Sequence, residues 1–593
     1  MSFNHYYQSE LTALRQLGKR FAERNPALAP FLGEGRRDPD VERLLEGFAF
    51  LTGRLRQKLD DELPELTHSL MHLLWPNYMR PLPSFSMLQF DPLKQAVHVP
   101  RHTSVNSEKI QGIHCRFRTV FDTQVLPLTL DALDYSIKGD GAYLSLRLQM
   151  PPGRHLDELQ FKSLRLHLAG DRSISQLLYL SLLRHLDGLQ MTLLDDTGHP
   201  LRDEDGEPLP ALALETEQVH PLGFAEDQAL IPYPLNTFRG YRYLQEYFAF
   251  QEKFLFVDLE GMDRLSRQPV ERLKRARGFE LRFDIRKVGV QHIRPTLDNV
   301  RLYCTPVVNL FRHEATPIRL DGKQEQYRLL PDELDPSHCG VFSVDRVIGW
   351  KPDGAGYKEY VPFESFEHDR SFGIADARPH YSVRQQPSMF GSEIETYLSF
   401  SQGSLTQGST VSVELTCTNQ DLACQLGVGK ICLPAEGTPD FLSFRNISPV
   451  TPSYAPPLHQ DFLWKLISNM PLNYLSLANV EALKVILETY DLPRYYDRQA
   501  ASVSRQQLNG LQHIQHVHID RLHLGLPIRG VRTELTINPE GTLGEGDMFL
   551  FASVLNEFFA LYASLNSFHE LHVKSTQGET YTWTPRMGLQ PLM

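Results

Sequence analysis

The residue pattern of this 593-residue chain predicts a multidomain α+β protein, with N-terminal helices, β-rich middle domains and a mixed α/β C-terminal domain. Three observations predict it. Apolar residues recur at three- and four-residue steps through the first 75 residues, the spacing of a helix face. Past residue 80 the pattern changes to alternation with period two, which suits half-buried strands. Past residue 455, long apolar helix-like runs return beside strand patterns. At roughly 100–200 residues per domain the length fits about three to five domains. The segments are residues 1–80 (helical, for assembly with partner subunits), 81–260 (β-rich), 261–454 (β-rich and loop-rich) and 455–593 (α+β).

In the first segment Phe3, Tyr6, Tyr7, Leu11, Leu14, Leu17 and Phe21 share one helix face, and Asn25-Pro26 and Ala29-Pro30 stop that helix. Asp38-Pro39-Asp40 opens another, with proline at its start and carboxylates near the positive end of the helix dipole. Its stripe is Val41, Leu44, Leu45, Phe48, Leu51, Leu55 and Leu59, interrupted at Pro64. A shorter helix through Leu70 and Leu73 then reaches Trp75-Pro76. These apolar faces need a partner, either elsewhere in the chain or on another chain, in the helix-in-groove manner.

Arg80-Pro81-Leu82-Pro83-Ser84 reads as a proline-punctuated linker. Strands are predicted at Ser86–Phe90, Tyr143–Leu148 and Phe161–Leu168, with turns at Asp195-Asp196-Thr197-Gly198 and Asp203-Glu204-Asp205-Gly206. A calcium loop at those acidic turns would need alternating oxygen ligands and a closing Glu, and neither is present. The aromatic run Arg239–Leu259 predicts a helix leading into a buried strand. Glu271–Gly278 is a short basic run that suits a solvated surface. Strands follow at Phe279–Ile285 and Val300–Val308, then a loop-rich stretch from 329 to 407 with short strands such as Tyr397–Phe400, then the strand Val411–Leu415. The last segment predicts helices at Asp461–Ile467, Val480–Tyr490 and Asp547–Leu565, and a strand at Gly530–Ile537.

Composition excludes several classes. Sixty Lys+Arg against 72 Asp+Glu give a net charge of −12, which argues against general nucleic-acid binding. The best membrane-span candidate, Phe549–Leu565, carries Asn556-Glu557 at its centre and reads as a core helix with Glu557 at its wetter edge. The N-terminus lacks a basic region followed by an apolar block, so no secretory signal is expected. Six cysteines, none in a C-x-x-C pair, suit a reducing cytoplasm and free thiols.

Catalytic signatures are scarce. Gly427-Val428-Gly429-Lys430 lacks the spacing and hydroxyl residue of a phosphate cradle, and a proline stands where His313-Glu314 would need its second histidine. His513, His516, His518 and His523 are the best metal candidates, but their alternation with Val517 and Ile519 reads as a polar strand face. Adjacent acid pairs such as Asp60-Asp61 show no defined separation across a substrate. No catalytic, cofactor or metal residue is assigned, and no enzyme activity is expected.

Several stretches, in order and spacing, carry a family resemblance. They are Phe3–Tyr7, Arg80–Phe90 (RPLPSFSMLQF), Tyr243–Leu259, Cys304–Leu320 (CTPVVNLFRHEATPIRL), Trp464–Leu477 and Phe549–Glu570. Together they resemble the TssF (VasA, ImpG) family of type VI secretion baseplate subunits over nearly the whole length. The resemblance implies a structural wedge subunit of a contractile injection machine. Its partners would be TssG, a second TssF copy, TssE, TssK and the hub or spike protein, with no cofactor. It implies a cytoplasmic location, docked at the inner membrane through partner proteins. The N-terminal stripe Tyr7, Leu11, Leu14, Leu44, Phe48, Leu51 and Leu55 is then expected to face those partners. The alternative is a glycan-binding or hydrolytic protein with a β-rich core.

Overall fold

Asp38-Pro39-Asp40 does open a helix. In the computed structural model it spans Pro39–Leu74, with Asp40 and Glu42 in its first turn. The structure describes residues 7–8, 10–15, 17, 39–139, 141–233, 239–286, 294–321, 324–350, 356–363, 379–388, 394–401, 409–439, 441–456, 466, 479–523, 525–541 and 544–588. The chain divides into two units, one of residues 1–79 with 457–467 and one of 80–456 with 468–593.

In the first unit the break expected at Pro64 is absent, because the helix continues through it to Leu74. A proline withholds one backbone donor, and the turns on both sides keep theirs. The short 3-10 helix Pro76–Met79 follows, and Trp75 and Tyr78 meet edge to face at 6.1 Å. Residues 7–8, 10–15 and 17 are helical. Arg15 is tied to Glu42 of the long helix by an ion pair of 2.9 Å. The helix predicted at Asp461–Ile467 lies outside the described residues, apart from Leu466.

The second unit holds the sheets. Arg80–Ser84 is no loose linker: Leu82 and Ser84 are buried, and Leu82 exchanges backbone hydrogen bonds of 2.8 and 2.9 Å with Tyr454. The strand Phe85–Phe90 then lies between Cys304–Val308 and Phe444–Asn446, both antiparallel, in a six-stranded sheet. Two further sheets complete the middle of the chain. One has five strands centred on Gly278–Ile285, and one has four including Phe256–Leu259 and Leu164–Leu168. The stretch expected to be loop-rich contains much of an eight-stranded sheet, with strands Gly340–Trp350, Tyr357–Pro362, His380–Pro387 and Ile394–Phe400. Its buried face includes Val347, Tyr360, Leu398, Val411 and Val413.

The C-terminal sheet pairs Leu511–His523 with Leu526–Ile537, and then Leu526–Ile537 in parallel with Phe568–Ser575. A parallel pair needs a crossover connection, which the helix Glu545–Ala560 supplies. That helix is buried on every side, as a helix apolar all round must be. It packs on the helices Arg172–Arg184 and Gly240–Ala249. Gly546 makes the first approach possible: a Cβ there would lie 2.6 Å from the Gln176 backbone. Tyr241 stacks on Tyr490 at 4.3 Å, and the Gln507 amide donates to the Tyr247 hydroxyl at 2.6 Å. Sheet pairing and this shared core therefore cross the chain positions near 260 and 454 where segment boundaries were expected.

Candidate interaction surface

On the first part of the helix Pro39–Leu74 several large apolar side chains are exposed. Leu44, Phe48, Leu51 and Leu55 are 74, 56, 66 and 64% exposed. Their steps of four, three and four residues set them on one stripe with the spacing of a coiled-coil seam. Eleven residues at 1.5 Å each make the stripe about 16 Å long. Beside the stripe the buried residues are small, Ala49 and Gly53, with Leu45 and Thr52 half-buried, and farther along the helix Met71 is buried too. At 100° per residue, the buried side is centred roughly 120° from the stripe. The helix thus has two apolar sides, of which the one with the bulkier residues is uncovered.

The remaining predicted interface residues sit differently. Leu11 is buried, and Tyr7 and Leu14 are half-buried. Leu17, on the same helical stretch, is exposed. A second exposed apolar point lies at the tip of the C-terminal hairpin, where Leu522 and Leu526 are uncovered. The third strand, Phe568–Ser575, pairs only from Val531 onward, so Ile519–His523 and Leu526–Gly530 form a ribbon of two strands.

Elsewhere polar chemistry is directed inward. The carboxylate of Glu246 holds Lys253 and accepts from the Leu230 backbone at 2.8 Å. Arg242, four residues before it, donates to the Phe224 and Ala225 carbonyls at 2.7 and 3.1 Å. Burial pushes the Lys253 ammonium down to about 8, against the opposing pull of Glu246. This is a clamp on residues 224–230, with all three side chains buried. Glu557 lies in the core rather than at a wet edge. Burial raises its pKa, and Arg586 opposes this through contacts of 2.6 and 2.7 Å.

The histidine-rich strand forms no cluster of four. His516 bonds Thr533 at 2.9 Å, and Thr533 in turn bonds the buried His569 at 2.9 Å, while His518 is exposed. Among the described residues no three His, Cys, Asp or Glu side chains converge as metal ligands. The described residues also include a cleft of about 210 Å³ lined by His98, Asp122, Arg165 and Tyr303. Arg165 in it is already held by Asp258 at 2.8 and 3.1 Å. Cys115, Cys304, Cys339 and Cys417 are buried free thiols, and Cys424 and Cys432 are partly buried free thiols. No described helix is long and apolar enough to cross a membrane.

Buried polar groups paired within the fold and an uncovered apolar helix face suit a structural subunit of a protein assembly. The family model for the type VI secretion system protein TssF matches residues 1–590. The chain belongs to that family. It is 29% identical to the type VI secretion system component TssF1 of Pseudomonas aeruginosa, over 99% of this chain and 98% of the relative. A chain in the cryo-electron microscopy structure of a TssK-TssF-TssG baseplate subcomplex superposes with a TM-score of 0.74 and 30% identity, covering 92% of this chain and 98% of that one. A chain of a type VI secretion baseplate complex gives a TM-score of 0.60 and 26% identity over the whole of both chains.

Proposed function

We propose that this chain is a baseplate wedge subunit of a type VI secretion system and works by holding other proteins in place, without catalysis. It would assemble with TssG, TssK, TssE and a second copy of itself around the hub or spike, as a platform for tube and sheath. Docking at the inner membrane would come through those partners. The observation that carries this reading is the uncovered stripe Leu44, Phe48, Leu51 and Leu55 on a helix whose opposite side is already buried. An apolar seam of that spacing gains by packing against another helix. The relative in the TssK-TssF-TssG subcomplex, matched over nearly its full length, supports the choice of partners. Tyr7, Leu11 and Leu14 would serve by supporting the long helix, and the tip at Leu522 and Leu526 by touching a neighbouring wedge.

The test is co-purification. Phe48→Glu should lower recovery of TssG with this chain by at least about tenfold, since interface anchors are concentrated in buried apolar residues. Arg43→Glu, a charge change on the same helix, should leave it nearly unchanged. Equal recovery for both variants would sink the assignment of the stripe.

A further inference from the structure

The half-buried arginines of the second unit nearly all hold an oxygen. Arg165 holds Asp258, Arg277 donates to the Met150 carbonyl, and Arg532 lies against Glu570. Arg118 does not. It projects from the strand Ile113–Thr119, its Nε is buried, and it makes no hydrogen bond or ion pair among the described residues. Arg312, on the strand Phe311–Glu314, also makes none, and it is exposed. Arg118 stands opposite Ser104 on one side and Val308 on the other, next to the turn at His102 and the chain leading to Arg312, and the charge of Arg312 reaches both. His102 sits in a left-handed turn (φ +66°) fixed to Thr119 by a backbone bond of 2.8 Å. Arg116, two residues before Arg118, covers the Phe311 ring at 5.2 Å.

The carboxylates near this group also accept from other donors. Asp345 accepts from Ser343 at 2.7 Å and Thr416 at 2.6 Å, and Asp122 accepts from the Arg101 backbone at 2.9 Å. Burial first, and then the charge of Arg312, lower the pKa of Arg118, with Asp345 opposing. Burial followed by Arg118 and Arg101 lowers that of His102. A half-buried guanidinium without an acceptor, beside a second cation, costs stability in the free chain. An oxyanion brought to the exposed side of the pair would offset the repulsion.

We infer that Arg118 and Arg312, flanked by His102, form a receiving site for an acidic side chain of a neighbouring baseplate subunit. This rests on the assembly role proposed above. A carboxylate suits a planar guanidinium whose donors are spaced for two oxygens. A site left uncompensated until assembly also makes the incoming charge a specificity element.

The test uses the full-length chain co-expressed with its baseplate partners, comparing wild type with Arg312→Gln, Arg118→Gln and Phe48→Glu. Recovery of partners by the wild type should fall as salt rises from about 0.1 to about 0.5 M. Each arginine variant should lower recovery about tenfold at low salt and flatten the salt dependence. Arg312→Gln should leave the melting temperature of the free chain unchanged or higher, which separates lost docking from lost folding. Two results would overturn the inference while the assembly role stands. In one, both arginine variants recover partners like wild type while Phe48→Glu does not. In the other, about 10 mM phosphate raises the melting temperature of the wild type but not of Arg118→Gln, and partner recovery is unaffected, which makes the occupant a free anion. If the wild-type chain recovers no partner at all, the assembly role fails first.

Discussion

Two helices of this protein use apolar residues in opposite ways. Glu545–Ala560 buries Leu550, Phe551, Leu555, Phe558 and Phe559 against its own chain. Pro39–Leu74 buries Ala49 and Gly53, and leaves Leu44, Phe48, Leu51 and Leu55 in solvent. Side chains of the same chemistry stabilise the fold in one case and stay in solvent in the other. On the proposed reading, the contrast separates residues that keep the subunit folded from residues that join it to its partners.

The strongest way to break that comparison is in the core. Phe558→Ala removes a fully buried ring that contacts Tyr241, Phe559 and Tyr562. It should lower unfolding free energy by about 3–5 kcal/mol. Chemical denaturation with a loss below about 1 kcal/mol would mean that this helix is not the centre of the core.

A second test reads the core through pH. Asp491, the C-cap of the helix Val480–Tyr490, is buried, and burial raises its pKa to about 6, against Ser504 and Arg494. The folded state therefore holds the proton more tightly than the unfolded state does. The penalty for ionising Asp491 is fully present above pH 6 and disappears as pH falls towards 4. At 1.36 kcal/mol per pH unit it amounts to roughly 3 kcal/mol. Asp491→Asn should be more stable than wild type at pH 7, and the difference should shrink as the solution is acidified. A difference independent of pH would count against this environment.

The smallest expected effect sharpens the other side of the comparison. Phe48→Ala should change the stability of the free chain by no more than about 0.5 kcal/mol, as exposed substitutions do. A loss comparable to that of Phe558→Ala would show the stripe to be covered within the free chain.

Much of this was legible in the sequence. The start of the long helix follows from Asp38-Pro39-Asp40, and the helix Val480–Tyr490 has its predicted bounds. Both signals are local, so sequence spacing reports them. The strand Gly340–Trp350 went unread because two register shifts, at Val341/Ser343 and Val344/Arg346, break the period of two. Arg80–Ser84 looked like a linker because its partner, Tyr454, is far along the chain. The stripe was legible as spacing, but not its exposure, since a periodic apolar face does not say what covers it. Arg118 gave no signal, because a lone arginine in a strand is ordinary until its surroundings show that nothing accepts from it.

The strand Phe85–Phe90 has a consequence in time. One of its edges is closed by Phe444–Asn446, and the Phe85 amide bonds Thr451, 366 residues later. Ribosomes add about 5–20 residues per second, so that edge stays open for roughly 20–70 s after the strand is made. Such long-range closure slows folding and leaves apolar strand edges accessible to aggregation. The long helix is synthesised before any of this. The exposed stripe of that helix therefore emerges while the central sheet still lacks its last strands.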